Sequence, residues 1–185
     1  ESRDTTHYSV ADADGNVVSN TFTLGSSFGA HVMAPGTGFF LNDAMANFAW
    51  SGSETANSPA PGKRVISTIT PIIAFRDARP WLASGTPGGT RIIGAMAQLI
   101  SNVVDHKLNI AEATNRPRVF QAASDTPVEF EPGFPVDVLR LMEAKGHKAK
   151  ASLTMGSTQS ILLEDGRFEG AADGRRPDAA AVAVN

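Results

Sequence analysis

Trp81-Leu82-Ala83-Ser84-Gly85-Thr86-Pro87-Gly88-Gly89-Thr90-Arg91-Ile92 begins as a short apolar run and ends where a helical period sets in. Residues 81–84 are too few for a helix and read as a strand. From 92 to 106 the apolar residues Ile92, Met96, Leu99, Val103 and Val104 mark one face of a helix. Between the two lies a glycine-rich turn. Just upstream, residues 69–75 are a second strand candidate, joined to the first through the polar Arg76-Asp77-Ala78-Arg79 turn. A strand pair feeding an amphipathic helix is the kernel of the fold.

The same units recur on either side. Residues 6–12 and 17–23 are rich in β-formers and flank Asp14-Gly15-Asn16, which predicts a hairpin. Gly25, Gly29, Gly36 and Gly38 predict a loop region, residues 42–48 a short helical turn, and 51–63 an exposed loop. Residues 110–115 form a short helix that stops before Pro117. Residues 128–130 read as a strand. Residues 136–145 read as a helix with Val138, Leu141 and Met142 inward, closed by Gly146. Residues 158–163 and 167–171 make a last hairpin about Asp165-Gly166, and an Ala-rich tail follows from Pro177. No internal repeat is present. Strand pairs around two main helices predict an α+β fold with substantial antiparallel sheet.

The chain has 185 residues, 42% apolar and 19% charged, which suits a single globular domain over residues 1–185. A net charge of −3 without a basic run gives no footprint for nucleic acid or an anionic membrane surface. No apolar run approaches the roughly 20 residues of a membrane span. Cysteine is absent, so disulfides, thiolate metal sites and a Cys nucleophile are excluded. His7, His31, His106 and His147 show no metal-ligand spacing, and Asp12-x-Asp14-Gly15 does not fit a calcium loop. No metal or cofactor is expected. The start, Glu1-Ser2-Arg3-Asp4, has no initiator Met, and the chain reads as part of a longer precursor.

Four stretches can carry chemistry. In Thr5-Thr6-His7-Tyr8-Ser9 a threonine hydroxyl needs a base to become a nucleophile. If Thr5 were the terminal residue, its own α-amine, with a reference pKa of about 7.7–8.0, would serve. The same residues also suit an ordinary β-strand. Gly88 and Gly89, before a helix, can present bare N–H groups. Those groups would form an oxyanion hole, cradle a phosphate, or merely make a tight turn; the Walker pattern is missing and Arg91 is the one nearby cation. Ser67-Thr68 offers two neutral donors for a carboxylate, or a strand-edge pair. Met155-Gly156-Ser157-Thr158-Gln159-Ser160 either packs or lines a site.

The order of these motifs is more specific than any one of them. Thr-Thr-His-Tyr-Ser-Val, Asp-Gly-Asn, Thr-Phe-Thr-Leu, Lys-Arg-x-x-Ser, Gly-x-Pro-Gly-Gly-x-Arg-Ile-Ile and Met-Gly-Ser-Thr-Gln-Ser follow one another along the chain. With Leu108 to Ala113 and Pro117-Arg118, this series resembles the small subunit of γ-glutamyltransferases, from Glu1 to about Arg175. The resemblance implies half of a four-layer αββα Ntn-hydrolase sandwich, completed by a large subunit from the same precursor. It implies autocleavage between Asp4 and Thr5, with residues 1–4 ending the segment before the cut. It implies Thr5 as nucleophile, Thr23 as its hydrogen-bond partner, Gly88 and Gly89 as the oxyanion hole, and Ser67 and Thr68 as holders of the substrate α-carboxylate. The substrate class would be γ-glutamyl amides such as glutathione, with water or an amino acid or peptide as acceptor. Bacterial members are often periplasmic or secreted.

The departures lie in substrate recognition. Gly25 stands where the family has Asn, and Ala44 and Asn47 stand where it has Gln/Glu and Asp. In the family these positions grip the α-amino group. Charged hydrogen bonds contribute about 1.5–3 kcal/mol each, so their loss weakens recognition of an ammonium. The stretch from Phe48 to Arg64 is also shorter than in members with an aromatic lid. An alternative expectation is therefore an acylase for glutaryl or other dicarboxylic monoamides. A further alternative is an unprocessed relative that binds without reacting.

Overall fold

The computed structural model of the protein describes residues 4–184. Residues 1–3 of the expected pre-cleavage segment lie outside the described residues. β1 (Thr6–Ala11) and β2 (Val17–Phe22) form the expected antiparallel hairpin, in the register Thr6↔Phe22 to Ala11↔Val17. Its turn is stapled by Asp12, whose Oδ1 accepts from the backbone N–H groups of Asp14 at 3.0 Å and Asn16 at 2.9 Å.

β3 (Ile72–Arg76) and β4 (Arg79–Ser84) make the next hairpin. Its two central residues, Asp77 and Ala78, both take left-handed φ (50° and 60°), the geometry that suits the twist of a two-residue turn. β3 starts three residues later than predicted, because Pro71 has no N–H to give a ladder. A 3₁₀ turn, Gly89–Arg91, then opens α1 (Ile92–Val104). Its buried face is Ile92, Ala95, Met96, Leu99 and Val103. Val104, expected on that face, is 39% exposed, and the helix stops two residues short of His106. Lys107 takes φ 56°, which ends helical geometry there.

α2 (Ile110–Asn115) is capped by Asn109, whose Oδ1 accepts from Glu112 N at 2.8 Å. β5 (Val119–Phe120), β6 (Val128–Phe130) and β7 (Ala149–Ala151) form a small sheet in which β6 pairs antiparallel with β5 and parallel with β7. Of these, only β6 was predicted. α3 (Val136–Ala144) lies between β6 and β7 in sequence and is closed at Gly146, with His147 N donating to Met142 O at 3.1 Å. Its expected inward face is a correction: Leu141 is 62% exposed and no residue of the helix is buried. Val138 and Met142 are half-buried, and among the strong contacts the helix rests only on β7, so Leu141 has nothing to enter.

β8 (Gln159–Glu164) and β9 (Arg167–Ala172) complete the last hairpin and join the four-stranded antiparallel sheet β3-β4-β8-β9. Leu82 and Leu162 pack with Trp81, Ile92, Met96, Leu99, Val103, Ile110, Ala113 and Ala171 into one core between this sheet and the helices α1 and α2. Each fully buried large aliphatic side chain stabilises by about 1.5–3 kcal/mol. The β1–β2 hairpin packs against β4 and β8, which gives helices, sheet and hairpin in succession, and the α+β expectation holds. No helix among the described residues is long and apolar enough to cross a membrane.

A buried charge network ties the C-terminal part to this core. Arg118 pairs with Asp173 at 2.7 Å, and Arg175 pairs with Glu131 at 2.6 Å and with Asp173 at 2.9 Å. Arg118 also donates to the carbonyls of Met155 (2.6 Å) and Thr114 (3.1 Å). Burial alone would raise the Asp173 carboxyl, but Arg118 and Arg175 overcome it and hold it below the ordinary carboxylate range.

Candidate active site

The β1–β2 register, continued by one pair, sets Thr5 opposite Thr23. Thr5 is 5% exposed, and its Oγ1 donates to Thr23 Oγ1 at 3.0 Å. Thr23 Oγ1 also accepts from Gly25 N at 2.9 Å. Thr5, Thr23 and Gly25 are therefore brought together.

Every second residue continues the stripe. His7 Nδ1 bonds to Thr21 Oγ1 at 2.8 Å and His7 Nε2 to Ser9 Oγ at 3.1 Å. Ser9 Oγ donates to Gln159 O at 2.9 Å, and Ser19 Oγ donates to Ser84 O at 2.9 Å. So the inward face of the hairpin is polar and bonded, while Tyr8, Val10, Val18 and Phe22 point outward and are exposed. Burial pushes the His7 imidazole down to about 4, so it is neutral at pH 7.

His7 also connects the hairpin to the glycine turn. A Cβ at Gly85 would lie 2.3 Å from the His7 ring, so only glycine admits this contact. The glycine turn therefore starts against the β1 residue two positions from Thr5. Within it, Gly88 and Gly89 both have positive φ, 141° and 56°. The turn is braced from behind: Thr86 Oγ1 donates to Pro87 O and accepts from Ser157 N, each at 2.7 Å. The Met155–Ser160 stretch thus packs as a buttress. Arg91, the cation that a phosphate-binding reading needs, is paired with Glu129 at 2.6 Å.

The other expected substrate residues stand apart. Ser67 is exposed and Thr68 half-buried, just ahead of β3; Ser67 Oγ accepts from Ile69 N at 3.3 Å. Asn47 is exposed and ends a 3₁₀ turn, Ala44–Asn47, with its carbonyl held by Asn57 Nδ2 at 2.7 Å. Among the described residues no hydrogen bond links Ser67, Thr68 or Asn47 to Thr5. Two contacts were not foreseen. Arg176 Nη1 donates to Thr5 O at 2.8 Å. Asp43 Oδ1 fills the space of a side chain at position 25, 1.7 Å from where a Cβ on Gly25 would be. The charged run Asp173-Gly174-Arg175-Arg176 before an Ala-rich tail was the available signal for the first; the second had none.

The chain matches known proteins over nearly its whole length. The family described as gamma-glutamyltranspeptidase matches residues 1–183. The chain is 42% identical over 189 residues to the glutathione hydrolase proenzyme of Escherichia coli (strain K12), covering 96% of this chain and 32% of that protein. It is 40% identical over 187 residues to the acylase ACY 1 proenzyme of Pseudomonas sp. (strain V22), covering 100% of this chain and 33% of that protein. The structure of gamma-glutamyltranspeptidase from Pseudomonas nitroreducens complexed with L-DON superposes with a TM-score of 0.86 at 34% identity, covering 97% of this chain and 100% of that one. The chain thus spans about a third of the length of these two curated relatives. The glycine turn, the hydroxyl pair at the hairpin end and the sheet that joins them all fall within the matched span, and the chain belongs to the gamma-glutamyltranspeptidase family.

Proposed function

We propose that this chain is the C-terminal, nucleophile-bearing part of a longer precursor cut between Asp4 and Thr5. The freed Thr5 then hydrolyses or transfers the acyl group of γ-glutamyl amides such as glutathione. The observation that carries this reading is the buried Thr5 Oγ1–Thr23 Oγ1 hydrogen bond of 3.0 Å beside a glycine turn with positive φ at both Gly88 and Gly89. In the uncut chain the Thr5 nitrogen is an amide and is no base. After the cut it is an amine with a pKa near neutrality, about 7.7–8.0 in reference peptides.

The chemistry follows from that change. The Thr5 hydroxyl oxygen attacks the amide carbonyl while the α-amine takes its proton. Negative charge grows on the carbonyl oxygen, where the Gly88 and Gly89 N–H groups would stabilise it; one such donor contributes roughly 10²–10³ in rate. Collapse breaks the C–N bond, the amine leaves with the proton, and an ester to Thr5 remains. Water or an acceptor amine then attacks the ester and restores the hydroxyl. Ser67 and Thr68 would meet the substrate carboxylate once the rest of the precursor frames the pocket. A large-subunit partner suits the outer face of the hairpin, where Tyr8, Val10, Val18 and Phe22 are exposed.

A second reading is an acylase for glutaryl or other dicarboxylic monoamides. It is favoured by Gly25, Ala44 and Asn47 at the family's ammonium-gripping positions, and by the acylase among the relatives. An unprocessed, binding-only relative is disfavoured by the intact Thr5, Thr23 and glycine pair.

The test is intact mass and N-terminal sequencing of the full-length protein beside Thr5→Ala. The expected outcome is a new N-terminus at Thr5 in the parent only, with amidase activity lost in the variant by at least about 10³-fold. A parent that stays uncut overturns the reading.

A further inference from the structure

We propose that Asp43 is the specificity-determining residue that selects an ammonium-bearing acyl group at the Thr5 site, so that γ-glutamyl amides are preferred to their glutaryl counterparts. This rests on the Thr5 amidase reading above and decides between its two substrate classes.

The geometry begins at the nucleophile. Thr5 Oγ1 reaches Thr23 Oγ1 at 3.0 Å, and Thr23 Oγ1 reaches Gly25 N at 2.9 Å. From the position of a Cβ on Gly25, Asp43 Oδ1 lies 1.7 Å away, its Cγ 2.9 Å and its Oδ2 3.6 Å. The carboxylate therefore occupies the place of a residue-25 side chain, delivered from another part of the loop. With ordinary bond lengths for the intervening backbone, it stands within roughly 10 Å of the attacking hydroxyl.

It is also held there. Asp43 Oδ1 accepts from Ser26 N at 3.0 Å, and Asp43 N donates to Leu24 O at 2.9 Å. Both bonds go to the backbone that directly follows Thr23, so the carboxylate is fixed relative to the nucleophile. The Ser26 hydrogen bond, with His31 in support, keeps the Asp43 carboxyl below the ordinary range and hence ionised at neutral pH. Asp43 is half-buried, so its carboxylate keeps some exposure.

The chemistry of the acyl group decides the match. In a γ-glutamyl amide four bonds separate the reacting carbonyl carbon from the α-ammonium nitrogen, about 5 Å when extended. A charged N–H···O contact of about 2.8 Å brings a carboxylate oxygen to about 8 Å from that carbon, a reach compatible with the upper limit from the hydroxyl given above. A glutaryl group has no cation and leaves Asp43 facing a methylene. Of the two nearby positions singled out in the sequence, Ala44 has no polar side chain, and Asn47 is neutral and exposed.

The test compares γ-glutamyl and glutaryl p-nitroanilides on the processed full-length enzyme, in the parent and in Asp43→Asn, which retains an acceptor for Ser26. The parent is expected to favour the γ-glutamyl anilide by at least tenfold in kcat/KM. D43N is expected to lower that ratio at least tenfold, mainly through KM, with the glutaryl anilide changed less than threefold. An equal fall for both substrates makes Asp43 only a loop latch and overturns the proposal. A parent that prefers the glutaryl anilide overturns it while leaving Thr5 amidase chemistry intact. A parent that cleaves itself and turns over neither anilide sinks the underlying reading instead. If D43N does not mature, inhibition of the parent decides: L-glutamate should bind at least tenfold more tightly than glutarate, and equal inhibition overturns the proposal.

Discussion

The β1–β2 hairpin and the 24–70 segment that follows it are adjacent in the chain and built on opposite plans. In the hairpin, Thr5, His7 and Ser9 face Thr23, Thr21 and Ser19, and the stripe is hydrogen-bonded across the hairpin and to the sheet beneath. The 24–70 segment holds its shape with local bonds, such as Ala30 N to Leu41 O at 2.9 Å and Leu41 N to Val32 O at 2.9 Å. Phe28, Met33, Phe39, Trp50 and Ile66 along it are exposed. On the proposed function, chemistry would be mounted on an over-determined sheet and recognition left to a segment whose residues can change without disturbing it. That division accounts for an intact hydroxyl pair beside altered residues at 25, 44 and 47.

Substitutions on the rigid side should be costly, beginning with the buried charges. Asp173→Asn leaves Arg118 and Arg175 without their shared carboxylate, and breaking a buried pair in this way costs about 3–5 kcal/mol. Chemical denaturation should show that loss; a change below about 1 kcal/mol would mean that the network is not what joins the C-terminal part to the core.

Acid should act next, through His7. Its folded value of about 4 lies below the ordinary 6.5, so the unfolded chain takes up the proton first as pH falls. Stability from this group is complete above about pH 6.5 and declines to about pH 4, by about 3 kcal/mol in all. His7→Gln should flatten that part of the stability–pH curve, and an unchanged slope would remove His7 as its source.

Gly85→Ala comes third. The added methyl meets the His7 ring at 2.3 Å and should cost about 1–3 kcal/mol, read as a lower Tm. Ser67→Ala, on the adaptable side, should shift stability by no more than about 0.5 kcal/mol while raising KM. A Ser67 variant as unstable as G85A would erase the contrast between the two regions.

The turns were legible in the sequence because they carry explicit chemistry. Asp-Gly at 14–15 and at 165–166 located two hairpins, and the 3.6-residue period located α1. Periodicity tells which residues share a face, but not whether anything covers it. For that reason Leu141 was expected inside, and the inverted hairpin, polar inward and apolar outward, was not anticipated. At the site, Thr5, Thr23 and Gly25 were legible through the resemblance of their motifs, and the hairpin register and Thr23 bring the three together. The Asp43 carboxylate under Gly25 was not, since a missing side chain says nothing about what fills its space. Nor was Arg176, because its partner is at the other end of the chain.

That last contact sets an order of events in time. The carbonyl of Thr5 is held by a residue 171 positions later, so Thr5 reaches this geometry only after residue 176 has left the ribosome and docked. A growing chain therefore carries Thr5 through 171 further positions before the final grip on its carbonyl exists. The later stretch serves as a clock for the earlier one.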